Sequence, residues 1–287
     1  MMLMNMKEVL AVAQKHQFGV GAFNIASAEF ARVVIDVAEA LRSPVILEVH
    51  PDEHAFIGDA FIGYLRELAL RATVPVVIHL DHGQTLAQVM RAIQTGYTSV
   101  MIDASALSLA DNIAVTRRIT EIAHAAGISV EAELGTIGIA EGSGEGGHAE
   151  ILYTDPQQAL QFVNETGVDS LAIAIGTSHG LYPPGKQPQL DIERLKAIRQ
   201  LISIPLVLHG GSGNKDAEVA ESILYGVAKI NISSDIKKAF FVALEAGLNS
   251  GSHEPNVLYI RPMEAVKTVV MHKMQLFSSV GKAALYN

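Results

Sequence analysis

The chain repeats one pattern eight times: a short run rich in Val, Ile and Leu, a polar junction, and an amphipathic helical stretch. The strand-like runs are GVGAFN (19–24), PVILEVH (44–50), PVVIHLD (75–81), SVMIDAS (99–105), ISVEAEL (128–134), SLAIAIG (170–176), PLVLHG (205–210) and AKINIS (228–233). Helical periodicity fills 27–41, 59–72, 84–95, 109–126, 155–166, 191–202, 214–225 and 235–247, several of these stretches opening on a Ser, Asp or Asn cap. Strands apolar on both faces belong in parallel sheets covered by helices. Eight such units without a break in composition predict an α/β fold, a closed (β/α)8 TIM barrel, with 1–287 forming a single domain. A doubly wound open sheet is the alternative. Residues 1–17 read as an ordinary amphipathic first helix rather than a signal peptide. Residues 257–282 read as an additional C-terminal helix, packed outside the barrel or against a partner.

Composition narrows the chemistry. There is no cysteine, so a metal has to be held by His, Asp or Glu. The net charge of −9, with no dense basic stretch, argues against nucleic acid as a partner. No uncharged apolar run reaches the roughly 18 residues of a membrane span, so a soluble, cytoplasmic protein is expected, with no membrane partner.

The polar residues concentrate where strands end. PVVIHLDH closes on Asp81 and His82, LAIAIGTSHG on His179 and IPLVLHGGSG on His209. A parallel barrel gathers the carboxyl ends of its strands at one rim, so imidazoles distant in sequence meet there. Three neutral imidazoles with one open position describe a catalytic zinc site. Nearby strands add Asp103, Glu131 and Glu133. Period 2 puts both glutamates on the lumen face, where they either hydrogen-bond the imidazoles from behind or form a salt bridge with Lys229 or an Arg at the barrel base. HGGSG (209–213) and NISSD (231–235) follow the last two strands, the quarter of such barrels that commonly binds phosphate. Gly210 and Gly211 allow close backbone approach to an anion, and Ser212, Asn231, Ser233 and Ser234 supply donors. Two long glycine-rich connections, 135–152 and 177–190, read as lids or substrate clamps. Of the remaining histidines, His79 faces the lumen, and His54 and His148 lie in polar loops. His16, His124, His253 and His272 belong to helices or outer loops.

In order along the chain, AFN, HLDHG, SVMIDAS, VEAELG, DSLAIAIGTSHGLY, PLVLHGGSG and KINISSD resemble the class II, metal-dependent ketose-bisphosphate aldolases, which include the fructose- and tagatose-bisphosphate enzymes. The resemblance implies Zn2+ on His82, His179 and His209, with Asp103 and Glu133 as carboxylates near the metal. It implies Asp81 as the acid/base at the aldehyde-derived oxygen, and Glu141 as the residue that moves the proton on dihydroxyacetone phosphate. Gly180, Gly210, Ser212, Asn231 and Ser234 match the phosphate cradle, and Gly180 and Ser212 also border a monovalent-cation site (Na+ or K+). Asn24 matches a substrate-contacting asparagine. The expected partner is a small sugar phosphate, and the expected assembly a homodimer or one built from dimers.

The departures concern the far end of the substrate. Family members acting on bisphosphates carry Tyr-Asp-Pro-Arg before the last helix, and its arginine reaches the distal phosphate, in many members that of a neighbouring subunit. Here the region reads EPNVLYIRP, with Val257 at the matching place and Arg261 about one turn later. His50 stands where Ser or Thr is frequent, and Ser233 where many fructose-specific members have Asp. Losing a bidentate guanidinium is not conservative. The aldehyde end is therefore expected to be either glyceraldehyde 3-phosphate held by Arg261 and His50 or an unphosphorylated aldehyde from a ketose 1-phosphate, and Ser233 tilts the expected bisphosphates from fructose towards the tagatose type. A zinc-dependent hydrolase on the same barrel is the other enzymatic reading. A non-catalytic companion subunit is disfavoured, because such companions should lack one or more metal ligands.

Overall fold

The computed structural model describes residues 2–139, 147–148, 150–182, 187–248 and 251–286. Its strands are β1 (Val20–Asn24), β2 (Val45–Val49), β3 (Val76–Gly83), β4 (Ser99–Ile102), β5 (Ser129–Leu134), β6 (Gly138–Ile139), β7 (Ser170–Ile173), β8 (Ser178–His179), β9 (Leu206–Leu208) and β10 (Val227–Ile232). Eight of them close into a parallel barrel in the order β1-β10-β9-β7-β5-β4-β3-β2, as the repeats predict, and β6 with β8 forms a separate two-stranded sheet. A (β/α)8 TIM barrel is thus the fold.

The helices are α1 (Met6–Lys15), α2 (Ala28–Leu41), α3 (Pro51–Ile57), α4 (Asp59–Arg71), α5 (Leu86–Thr95), α6 (Leu109–Ala125), α7 (Pro156–Thr166), α8 (Ile192–Leu201), α9 (Asp216–Leu224), α10 (Ser234–Leu248), α11 (Pro255–Leu258) and α12 (Ile260–Leu276). Local signals set several ends: Thr85 and Gln88 form a capping box on α5, Asp155 caps α7 ahead of a proline at its first position, and Gly96 and Gly167 end α5 and α7 in left-handed conformation. Every residue of β1 to β5 is buried, because helices cover the outside and side chains fill the lumen.

At the amino end of the barrel, α1 inserts Met6, Val9, Leu10 and Ala13 against Phe18, Val20, Ala22, Ile46, Val77 and Ala228, which closes the lumen floor. The C-terminal helix α12 packs on α10 and α2 of its own chain through Val266, Val270 and Met274. Among the described residues, no helix is long and apolar enough to cross a membrane.

Two local expectations need correction. His54 does not sit in a polar loop: it is buried in α3, bonded to Asp59 at 2.8 Å and to the Tyr97 hydroxyl at 3.2 Å. The connections 135–152 and 177–190 are not loop throughout, since β6 and β8 pair across them in parallel. Two-residue strands carry no periodicity, so nothing in the residue pattern announces them.

Candidate active site

Asp81 and His82 are neighbours in β3, and regular pleating would send them to opposite faces. A bulge resolves the conflict. The β3–β4 register runs Leu80 with Val100 and then Gly83 with Ile102, so Asp81 and His82 together face Met101 alone. An extra residue of this kind bends the strand and re-aims a side chain. His82 accordingly takes a left-handed backbone, φ 48°. Gly83 follows because a β-carbon there would lie 2.6 Å from the Met101 carbonyl oxygen.

His209 follows β9, and His179 is reached by a detour. β7 ends at Ile173, the backbone turns at Gly176 (φ 116°), and β8 delivers His179 back toward the rim. The three rings converge, with centroids 4.6 Å (His82–His209), 4.9 Å (His82–His179) and 6.0 Å (His179–His209) apart. Each of the three offers one ring nitrogen within 4.8 Å of the others. For two of them the inward-facing atom is defined: His209 Nδ1 lies 2.9 Å from His82 Nε2. The outward nitrogens are held by carboxylates, His82 Nδ1 by Asp103 at 2.8 Å and His209 Nε2 by Glu131 at 2.7 Å. Carboxylate-backed imidazoles with convergent lone pairs suit a divalent cation.

The electrostatics agree with a cation. Burial pushes the His82 imidazole down, but Asp81, Asp103 and Glu133 outweigh it and push it up to about 10. Burial likewise opposes ionisation of Asp81, and the neighbouring His82, His209 and Lys229 side chains overcome it, holding that carboxyl well below its ordinary range. Glu133 goes the other way: burial and the Asp103 charge raise it well above the ordinary carboxylate range. Its Oε2 has no hydrogen-bond partner among the described residues, and with His82 and Asp103 it forms a second set of atoms able to grip a metal.

Asn24 and Asn231, expected at the substrate, reach Asp81. Asn24 Nδ2 donates to Asp81 Oδ2 at 3.1 Å and Asn231 Nδ2 to Asp81 Oδ1 at 3.2 Å. Glu53, which sequence reasoning missed, accepts a weaker bond from Asn24 at 3.4 Å, caps the His50 backbone N–H at 3.1 Å and pairs with Lys237 at 2.7 Å. A signal was available, because His-Pro-Asp-Glu has the spacing of a capping box with proline at the first helical position.

Around the loops after β9 and β10, Gly210 (φ 61°) and Gly211 press on Ser178 and Asn231 backbone, where a β-carbon would lie 2.5 and 2.7 Å from carbonyl oxygens. Gly180 is also left-handed, φ 100°. Ser212 Oγ accepts the Asp235 N–H at 3.2 Å, capping the start of α10, where Ser234 also lies. Two buried hydroxyls, Ser233 Oγ and the unforeseen Thr177 Oγ1, have no hydrogen-bond partner among the described residues, which is the state expected of groups that await a polar ligand.

His50 caps α3 with its ring 6.3 Å from that of His82. Arg261 is exposed in the first turn of α12 and borders a groove with Ala246, Gly247, Val257, Leu258 and Ile260, which shares no residue with the histidine cluster. Glu141 lies outside the described residues.

The profile of the class-II fructose-bisphosphate aldolases matches residues 4–282. The chain is 39% identical over 295 residues to a fructose-bisphosphate aldolase of Geobacillus stearothermophilus, covering 99% of this chain and 100% of that one. It is 38% identical over 305 residues to the Thermus caldophilus fructose-bisphosphate aldolase, covering 98% and 100%. The chain belongs to the class II fructose-bisphosphate aldolase family. As a class II aldolase it is a lyase, and the histidine cluster at the barrel rim is a metal-site candidate of the kind that class requires. The crystal structure of the YdjI aldolase from Escherichia coli K12 superimposes with a TM-score of 0.85 at 37% identity, over 98% of this aldolase and 100% of that chain.

Proposed function

We propose that this aldolase binds zinc on His82 Nε2, His179 and His209 Nδ1 and reversibly cleaves a ketose bisphosphate of the tagatose or fructose 1,6 type to dihydroxyacetone phosphate and glyceraldehyde 3-phosphate. The convergence of three imidazoles beside Asp81, two of them backed by carboxylates, carries this reading. Bound there, zinc supplies Lewis-acid polarisation of the ketone, which accommodates the electron pair released from the C3–C4 bond. Asp81 takes the proton of the C4 hydroxyl; it is ionised, and both of its oxygens are oriented by Asn24 and Asn231. Glu141 returns a proton to C3 of the three-carbon fragment. Gly180, Gly210, Gly211, Ser212, Ser233 and Ser234, joined by Thr177, cradle the C1 phosphate, and a monovalent cation, Na+ or K+, sits by Gly180 and Ser212.

A second reading keeps this chemistry but takes a ketose 1-phosphate and releases an unphosphorylated aldehyde. It is favoured by Val257 in place of the arginine that grips a distal phosphate and by the surface position of Arg261. Residues 1–287 act as one domain, in a homodimer or an assembly of dimers, in the cytoplasm.

A coupled assay of the zinc-loaded protein on fructose bisphosphate, tagatose bisphosphate and a ketose 1-phosphate tests both readings. Cleavage of a bisphosphate is expected, and a strong preference for the monophosphate selects the second reading. Hydrolysis without carbon–carbon cleavage, or full turnover after exhaustive chelation, overturns both.

A further inference from the structure

One layer below the histidines, the barrel lumen holds an ammonium between two carboxylates, all three fully buried. Lys229 Nζ lies 3.3 Å from Glu48 Oε2 and 3.3 and 3.1 Å from Glu131 Oε1 and Oε2. Stability alone does not account for this group. Taking such charges out of water is costly, and apolar residues of similar volume often serve a core as well or better. Neighbouring lumen positions are in fact filled by Met101, Ala172 and Val207.

Glu131 faces two imidazoles, and only one of them is a ligand. Its Oε1 takes the Nε2 side of His209 at 2.7 Å, while His79 Nε2, with no hydrogen-bond partner among the described residues, waits 3.7 Å from Oε2. A neutral imidazole carries its proton on either nitrogen, and the partner of one nitrogen decides the state of the other. With Glu131 on Nε2–H, the Nδ1 lone pair of His209 is left facing His82 Nε2. Asn231 Nδ2, a donor, points at the same Nδ1 from 3.4 Å, as a lone pair there requires.

We propose that Lys229, braced by Glu48, is a positioning residue for the metal site: it holds the Glu131 carboxylate against His209 rather than His79, and so fixes His209 as the Nε2–H tautomer with Nδ1 free for the metal. The inference rests on the zinc reading above and adds the group that presets one ligand before the ion arrives. Lys229 bonds to Glu48 and Glu131 and so acts on His209 only through the Glu131 carboxylate.

The test compares full-length wild type with Lys229→Met and Lys229→Gln, the latter keeping an N–H able to reach Glu131. Zinc affinity is read by competition with a chromophoric chelator, and the His209 tautomer by long-range 1H–15N correlation on chelator-stripped, 15N-histidine-labelled protein. Lys229→Met should weaken zinc about tenfold or more, the range for groups behind a ligand, and should move His209 away from pure Nε2–H. Lys229→Gln should restore both. If Lys229→Met does not fold, Lys229→Met/Glu48→Leu, which also removes the carboxyl group left without its lysine, should show the same loss. A merely structural lysine would lower stability while leaving tautomer and affinity unchanged, and that result overturns the assignment. Wild type that takes up no zinc overturns the metal reading itself, and this inference with it.

Discussion

Asn24 grips Asp81: its side-chain amide sits 3.1 Å from Asp81 Oδ2, across the β1–β3 side of the lumen, with both groups almost completely buried. Asn24→Ala should therefore lower kcat by on the order of 10²-fold, the cost of letting a proton-transfer group drift by about 1 Å, with zinc content unchanged. Steady-state kinetics together with metal analysis checks this. An effect confined to KM would return Asn24 to the substrate-binding role that the sequence suggests.

Asp81→Asn keeps the shape and removes the base. Cleavage should fall by roughly 10²- to 10⁴-fold, while the protein still binds about one zinc per chain. Loss of the metal in this variant would mean that Asp81 helps to ligate it.

Chelation should abolish cleavage and added zinc should restore it. Single alanine variants of His82, His179 and His209 should each bind less than stoichiometric metal, because a tetrahedral site with only two protein ligands holds zinc poorly. Elemental analysis after dialysis decides the matter, and full occupancy in any one variant removes that histidine from the ligand set.

His79 should make the fold acid-sensitive. Burial, then the Lys229 charge, holds its imidazole down at about 3 against an ordinary 6.5, despite the nearby Glu131 and Asp81 charges that favour protonation. Between those values the unfolded chain binds a proton that the native state refuses, so stability present above pH 6.5 is lost as pH falls toward about 3. The denaturant-derived stability difference between wild type and His79→Gln should change by about 1.4 kcal/mol per pH unit within that window. A pH-independent difference would contradict the buried, neutral state.

Gly210→Ala sets a β-carbon 2.5 Å from the Ser178 carbonyl in a left-handed backbone. Conformation alone costs about 1–2 kcal/mol, and the displaced loop should raise KM for the phosphorylated ketose. Thermal denaturation and kinetics report the two effects separately.

Barrel and histidine cluster are legible in the sequence because both follow from period: apolar runs mark parallel strands, and a closed parallel sheet brings their ends to one rim. Glu131 and Glu133 are placed in the lumen by simple alternation. What escapes is whatever departs from regular repeats. The bulge that turns His82 inward, the two-residue strands that carry His179 back, and the burial of His54 in α3 depend on contacts between segments far apart in the chain. Asn24 and Asn231 show the same limit from another side. Their positions at strand ends predict that they line the site, but only the distances reveal that they serve a carboxylate.

The left-handed backbone at His82 carries a longer-range meaning. A β-carbon in that conformation is a local burden of about 1–2 kcal/mol that glycine would escape. A descendant in which this side chain no longer had to reach the other two histidines would have no reason to bear that burden, so glycine or a straightened strand is the change to look for there.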